Sequence, residues 1–182
     1  MRIRKSSRKG NAMIEFTLVG IPMIFVLIST FEMARGMWLY HTLAHAVKEA
    51  TRYAIVHSNN CNVNPSSCAS RIRDIALRMS EAGVGLIPED VQNVTFISVS
   101  RAPITCPTLQ DCLQSGGTGD VYWPAAAPGA AIDVGGERGA RVQITAEFPF
   151  RSAIAMLWPG AGGGINFPIF VLPANSEEVV QY

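Results

Sequence analysis

The sequence predicts an α+β protein, with a long N-terminal helix, first transmembrane and then amphipathic, packed on a small antiparallel sheet. Three observations carry that reading. Phe16 to Phe31 contains no charged residue. From Glu32 to His57 apolar residues recur at spacings of three and four, the mark of one buried helix face. Beyond residue 90, three short segments alternate or run apolar between Gly, Pro, Asn and Asp, as strands do.

The helix begins within "RKSSRKGNAMIEFTLVGIPMIFVLISTFEM". Arg2, Arg4, Lys5, Arg8 and Lys9 crowd the first ten positions, with no acid among them. The uncharged run alone makes a helix of about 24 Å, short of a hydrocarbon core of about 30 Å. Starting at Asn11 gives about 31 Å, which fits, and sets Glu15 about one turn inside the membrane. An acid at the centre of a membrane helix costs about 2.5–3.5 kcal/mol, and less near the interface. Two readings of Glu15 stand side by side: a tolerated interfacial acid, or an intramembrane carboxylate awaiting a partner. A cleaved signal peptide fits poorly. Glu15 interrupts its apolar region, and cleavage after Ala34 puts Glu32 at the third position back, where a small residue belongs.

The helix continues beyond the membrane segment. Tyr40, Leu43, Val47, Ala50 and Ala54 form one apolar stripe, and His41, His45, Lys48, Glu49 and Arg52 the opposite face. One helix from Asn11 to near His57 would be about 70 Å long. Pro22 removes one backbone hydrogen bond and favours a kink. Gly20 and Gly36 loosen the helix or admit a neighbour closely. "HSNNCNVNPSSC" ends it. A second helix is predicted over Ser67 to Glu81, capped by Ser66 or Ser67, with Ile72, Ile75, Ala76 and Met79 inward and Gly83 at its end. Strands are predicted at Asn93–Ser100, with Val94, Phe96 and Ser98 on one side, at Ala140–Phe148, and at Ile165–Leu172. Pro168 pushes the last toward an edge or bulge. Residues 102–137, rich in Gly, Pro, Ala and Asp, read as a long loop. Ser152 to Leu157 reads as a helical turn or two, ended by "PGAGGG".

Composition excludes several function classes. With 48% hydrophobic and 16% charged residues, the part beyond the anchor is globular rather than disordered. The formal net charge is +1, but without residues 1–10 ten Lys/Arg face 14 Asp/Glu, a net −4. That leaves no basic excess for nucleic acid. His41, His45 and Glu49 share a helix face and could in principle hold a metal, but that face is the solvated one. No H-E-x-x-H, G-x-S-x-G or P-loop pattern occurs, so neither catalysis nor a cofactor is expected. "PGAGGG" opens no helix that could hold phosphate. Asn93-Val94-Thr95 is a glycosylation sequon by form only.

"KGNAMIEF" resembles the processing site of type IV prepilins: a basic leader, Gly, Glu at the fifth mature position, then an apolar helix. With Pro22 in the apolar run, the pattern looks most like the TadE-like minor pseudopilins of tight-adherence (Flp) pilus systems, over roughly the first fifty residues. The resemblance implies a leader, residues 1–10, cut by a prepilin peptidase between Gly10 and Asn11. A transmembrane helix over 11–31 follows, then its exterior continuation over 32–57 and an exported, pilin-like α+β domain over 58–182. It implies that Glu15 is the assembly carboxylate, meeting the N-terminal amine of a neighbouring subunit. The implied partners are other pilin or pseudopilin subunits, the pilus assembly platform and membrane lipid. The basic leader keeps the N-terminus cytoplasmic, so the chain crosses the inner membrane once, its C-terminal domain outside. A different class of function, a single-pass anchored binding protein or enzyme, would keep its N-terminus and need a convergent polar pocket. No residue pattern supplies one.

The cysteines form two close pairs, Cys61/Cys68 and Cys106/Cys112, each in a loop-like segment. Four cysteines allow three pairings. In an exported domain disulfides persist, and local closure is the simplest pairing. The spacings are wider than the usual C-x2–4-C of zinc sites. Non-reducing peptide mapping of the exported protein is expected to recover Cys61 linked to Cys68 and Cys106 linked to Cys112. Free thiols or stoichiometric zinc would refute the assignment.

Overall fold

The computed structural model describes residues 9–57, 70–99, 101–124, 139–152 and 170–180. Helix α1 spans Lys9–His57, α2 Ile72–Ala82 and α3 Leu109–Leu113. The strands are β1 (Gln92–Ser98), β2 (Arg101–Thr108), β3 (Arg141–Phe150) and β4 (Phe170–Val179). They form one antiparallel sheet in the order β2-β1-β3-β4. The α+β expectation, a long N-terminal helix with a small antiparallel sheet, holds. Two compact units are distinguished, one carrying α1 up to Met37, the other holding α1 from Trp38 and the whole sheet.

The core of the second unit lies on one face of the sheet. Val94 and Phe96 of β1, Val142 and Ile144 of β3, and Cys106 of β2 point into it, all fully buried. Leu43, Val47, Ala50 and Ala54 of α1 join them, as do Ile72, Ile75, Ala76 and Met79 of α2. The stripe read from α1 therefore holds, with one exception. Tyr40 is 43% exposed and Leu39, one position earlier, is buried instead. Leu39 lies four residues before Leu43, whereas Tyr40 is turned about 100° away from it. Trp123 closes the core, its ring edge-on to Phe96 at 5.3 Å.

Four expectations need correction. The second helix starts at Ile72 rather than Ser67. Ser70 to Ile72 is already paired with a later segment: Ile72 N–H donates to Val121 O and Trp123 N–H to Ser70 O, both at 3.0 Å. Asp74, not a serine, caps the helix by accepting from Arg71 N–H at 3.2 Å. Asp120 locks the same joint, with Arg71 at 3.4 Å and Arg73 at 3.5 Å. The Tyr122 hydroxyl, followed by Asp120 and Asp74, holds the Arg71 guanidinium above its ordinary pKa.

The long loop expected over 102–137 contains β2 and α3. Pro103 and Pro107 hide the strand in the sequence, but β2 is an edge strand, where proline is tolerated. α3 starts from a capping box in which Thr108 Oγ1 accepts from Asp111 N–H at 3.2 Å and the Asp111 carboxylate accepts from Thr108 N–H at 3.0 Å. Cys106 of β2 and Cys112 of α3 form a disulfide, buried, with Cα atoms 5.7 Å apart. The last strand, described over Phe170–Val179, shares Phe170–Leu172 with the predicted Ile165–Leu172 and runs on to Val179. Its polar stretch "NSEEV" conceals the alternation that turns Ala174 inward, and Val180 just beyond it is also buried. The strands therefore number four among the described residues, not three.

β1 reaches its register through a bulge between Gln92 and Thr95. Asn93 there adopts φ 51°, left-handed backbone that Asn tolerates better than most residues. Its amide donates to Glu147 at 2.7 Å, so the sequon asparagine is engaged across the sheet. Cys61, Cys68, the turn expected at Ser152–Leu157 beyond its first residue, "PGAGGG" and residues 165–169 lie outside the described residues.

Phe96→Ala removes a fully buried ring from the centre of this core and is expected to cost about 3–5 kcal/mol. Val99→Ala, on the exposed β1–β2 turn, should stay within about 0.5 kcal/mol. Denaturant titration of the detergent-solubilised chain, followed by the emission of buried Trp123, measures both.

Candidate functional site

The N-terminal end of α1 carries Gly10, Asn11 and Glu15, the residues expected to serve processing and assembly, on one helix. Gly10 and Asn11 are helical in their backbone, and Glu15 follows one turn after Asn11, exposed. The surface around Glu15 is apolar and open. Met13 is 76% exposed and Phe16 77%, and large apolar side chains stay exposed through Phe31 and Met33. Such a surface, continuous over many turns, does not persist in water. Among the described residues α1 is the one helix long and apolar enough to cross a membrane, and none of its most apolar stretch is buried.

The polar groups along this stretch are mostly satisfied from within. A helix pairs its own backbone, which is what a bilayer demands. Thr17 Oγ1 donates to Ile14 O at 2.9 Å and Thr30 Oγ1 to Val26 O at 2.8 Å, so both hydroxyls fold back onto the helix. The helix passes through Pro22 without ending. Gly20 leaves a notch beside the Phe16 ring, 3.8 Å from where its Cβ would stand. Between Ala12 and Phe31, Glu15 is the sole formal charge in the sequence. Just beyond, Glu32 and Arg35 pair at 3.8 Å one turn apart.

Residues 10–52 of this helix match the family model described as TadE-like protein. The segment is TadE-like. The match begins at Gly10 and covers the apolar stretch, Glu15, and the first part of the buried stripe. The match covers less than a quarter of the chain, and by length and composition α1 is long and apolar enough to cross a membrane once. No curated protein and no solved structure matches the chain.

Away from Glu15, the polar groups described pair largely with one another. His41 and His45 are exposed, and Glu49 pairs with Arg52 at 3.2 Å. Among the described residues no three His, Cys, Asp or Glu side chains cluster to hold a metal. An open cleft of about 540 Å³ lies between the end of α1 and α2, lined by Glu49, Arg52, Tyr53, His57, Arg78 and Glu81 among others. Its charges are already matched within each helix, Arg78 with Glu81 at 2.9 Å and Arg52 with Glu49. Arg78 also lies 5.4 Å over the Tyr53 ring, and the His57 ring stacks on Tyr53 at 4.0 Å. These groups complete one another and aim at no common point, as a substrate site would require.

One residue of consequence escapes the sequence pattern. Trp38 fits neither the apolar stripe nor the polar face of α1. It is 53% exposed, yet its ring lies directly against Gly85, in the connection after α2. The available signal was an aromatic residue a short distance past the uncharged run, where membrane helices carry Trp and Tyr.

Proposed function

We propose that the chain is a minor pseudopilin of a Tad (Flp) type IV pilus. In this reading it is anchored by α1 in the inner membrane, cut after Gly10, and built into the pilus or its assembly complex through that helix. The observation that carries the reading is the TadE-like match over residues 10–52. It falls on the one described helix whose surface is both apolar and exposed. The partners are a prepilin peptidase, neighbouring pilin-type subunits, the assembly platform and lipid.

Helix physics gives Glu15 a reason to be where it is. Cutting between Gly10 and Asn11 makes Glu15 the fifth residue, at the end of the first turn of the mature helix. Unpaired N–H groups and a new amine concentrate positive charge there. A helical side chain leans toward its own N-terminus, so the carboxylate leans the same way. In lipid a lone carboxylate is costly, and pairing with an amine offsets much of that cost. A neighbour's amine meets it only at one axial offset between helices, so the pair selects register as well as contact. The basic leader blocks this arrangement until it is removed.

Two outcomes are expected. Gly10→Val, which puts a side chain at the scissile bond, should leave the longer form. Mass determination of the membrane-extracted N-terminus reads this, and Met1 retained in assembled wild-type protein would overturn the processing step. Glu15→Gln keeps size and removes charge. Breaking a desolvated pair from one side typically costs about 3–5 kcal/mol, less near the interface. Co-purification with the assembly complex should fall sharply, while insertion, cleavage and protease resistance of the exterior domain stay largely as in wild type. Assembly at the wild-type level would make Glu15 a tolerated interfacial acid.

A further inference from the structure

We propose that the Cys106–Cys112 disulfide is a maturation latch: its formation by a thiol–disulfide oxidoreductase fixes residues 114–123 and, through them, the start of α2. The proposal goes beyond the pilus reading and does not need it. All its contacts lie within the unit that carries the sheet.

α3 has five residues, too few to hold a helix by its own hydrogen bonds. Its two ends are held differently. At the first, Leu109 N–H donates to Val91 O at 2.9 Å and Gln110 N–H to Pro88 O at 3.3 Å, and the capping box closes the turn. At the second, buried Cys112 is bonded to Cys106 of β2. Gly119, buried in the 3-10 turn Thr118–Asp120, rests on this second end. A Cβ at 119 would collide with the carbonyl oxygens of Cys112 and Gln114. The turn therefore takes its place from backbone that the disulfide holds.

From that turn the contacts pass to α2. One Asp120 oxygen accepts from Gly116 N–H at 2.6 Å, and the other faces Arg71 and Arg73. The next residues run antiparallel to the chain entering α2. Ile72 N–H donates to Val121 O, Trp123 N–H to Ser70 O, and Ser70 Oγ to Trp123 O at 2.8 Å. Residues 120–123 thus supply both charge and backbone partners at the start of α2. The pairing of β3 with β1 and β4 does not pass through them. Without the sulfur bond the second end of α3 loses its tie to β2 and the seat of Gly119 loosens. Residues 114–123 then open as a local unit while the sheet stays folded.

Both cysteines are fully buried in the closed form, out of reach of another protein's active site. The bond is therefore made in the open form. The two thiols give up two protons and two electrons as their sulfurs join. The oxidoreductase's own disulfide takes them and becomes a dithiol. Closing then shields the new bond, because an attacking thiolate needs access. Oxidation drives the segment one way, from open to closed.

The test is hydrogen–deuterium exchange, read by peptide mass, on the full chain in detergent. Cys106→Ala/Cys112→Ala should speed exchange about tenfold or more over 70–76 and 116–123, and leave 141–150 within about twofold of wild type. Cys61→Ala/Cys68→Ala should leave 116–123 as in wild type. Gly119→Ala and Asp120→Asn keep both cysteines and should loosen 116–123. Wild-type chain prepared with reduced thiols should exchange like the Cys106→Ala/Cys112→Ala chain over 116–123, and slow again after treatment with an oxidised thiol–disulfide oxidoreductase. Unchanged protection at 70–76 and 116–123 in Cys106→Ala/Cys112→Ala overturns the latch and leaves the bond a local staple. Equal loss over 141–150 overturns it too, because the bond would then support the whole core. Wild-type exchange in both Gly119→Ala and Asp120→Asn overturns the path to α2. A reduced chain that stays fast after the oxidoreductase overturns the maturation step.

Discussion

The structure depends on one requirement: the apolar surface of α1 must leave water along its whole length. It is met in two ways by a single helix. From Trp38 onward a narrow stripe goes into the protein core against the sheet and α2. Before that, from Met13 to Phe31, large apolar side chains stay exposed, and the proposed anchor gives them an apolar solvent. Removing a large aliphatic or aromatic side chain from water is worth about 1.5–3 kcal/mol. A few such side chains exceed the cost of about 2.5–3.5 kcal/mol for carrying one acid into the bilayer. In the proposed anchor insertion therefore tolerates Glu15, and the proposal explains its presence by what the helix does afterwards.

Legibility of the fold followed the strength of each local pattern. α1, β1 and β3 were readable because their apolar residues repeat at periods of 3.6 or 2 with little interruption. The start of α2 is hidden in the sequence because Ser66 and Ser67 look like caps, while residues 121–123, distant in sequence, pair with Ser70 and Ile72. β2 is hidden because Pro103 and Pro107 argue locally against a strand, and only its place at the sheet edge makes them tolerable. β4 was displaced because "IFVL" is the more apolar stretch, although the pairing with β3 continues through "PANSEEV". In each failure a partner supplied by the fold outweighed local preference.

The candidate site divides in the same way. Gly10, Asn11 and Glu15 lie within six residues and their proposed meaning rests on spacing along one helix, and spacing is what a sequence displays. Trp38 and Gly85 are separated by the last part of α1, a connection and a second helix. Nothing in either local stretch announces that one lacks a side chain so that the other can lie against it. Cys106 and Cys112 fall between these cases. Their closeness in sequence suggested a local bridge, but α3, the element that carries Cys112, was not foreseen.

The sheet ends in strands that are poorly equipped to recruit another strand. β2 carries two prolines and β4 one, each of which deletes a donor from the ladder. The bulge at Asn93 adds local twist to β1, next to the β2 edge. Copies held side by side by their anchors would meet at high local density, the condition under which bare strand margins zip together into cross-β stacks. Margins short of donors make that zipping unfavourable, so under the proposed anchoring helix-to-helix association is left as the ordered route between copies.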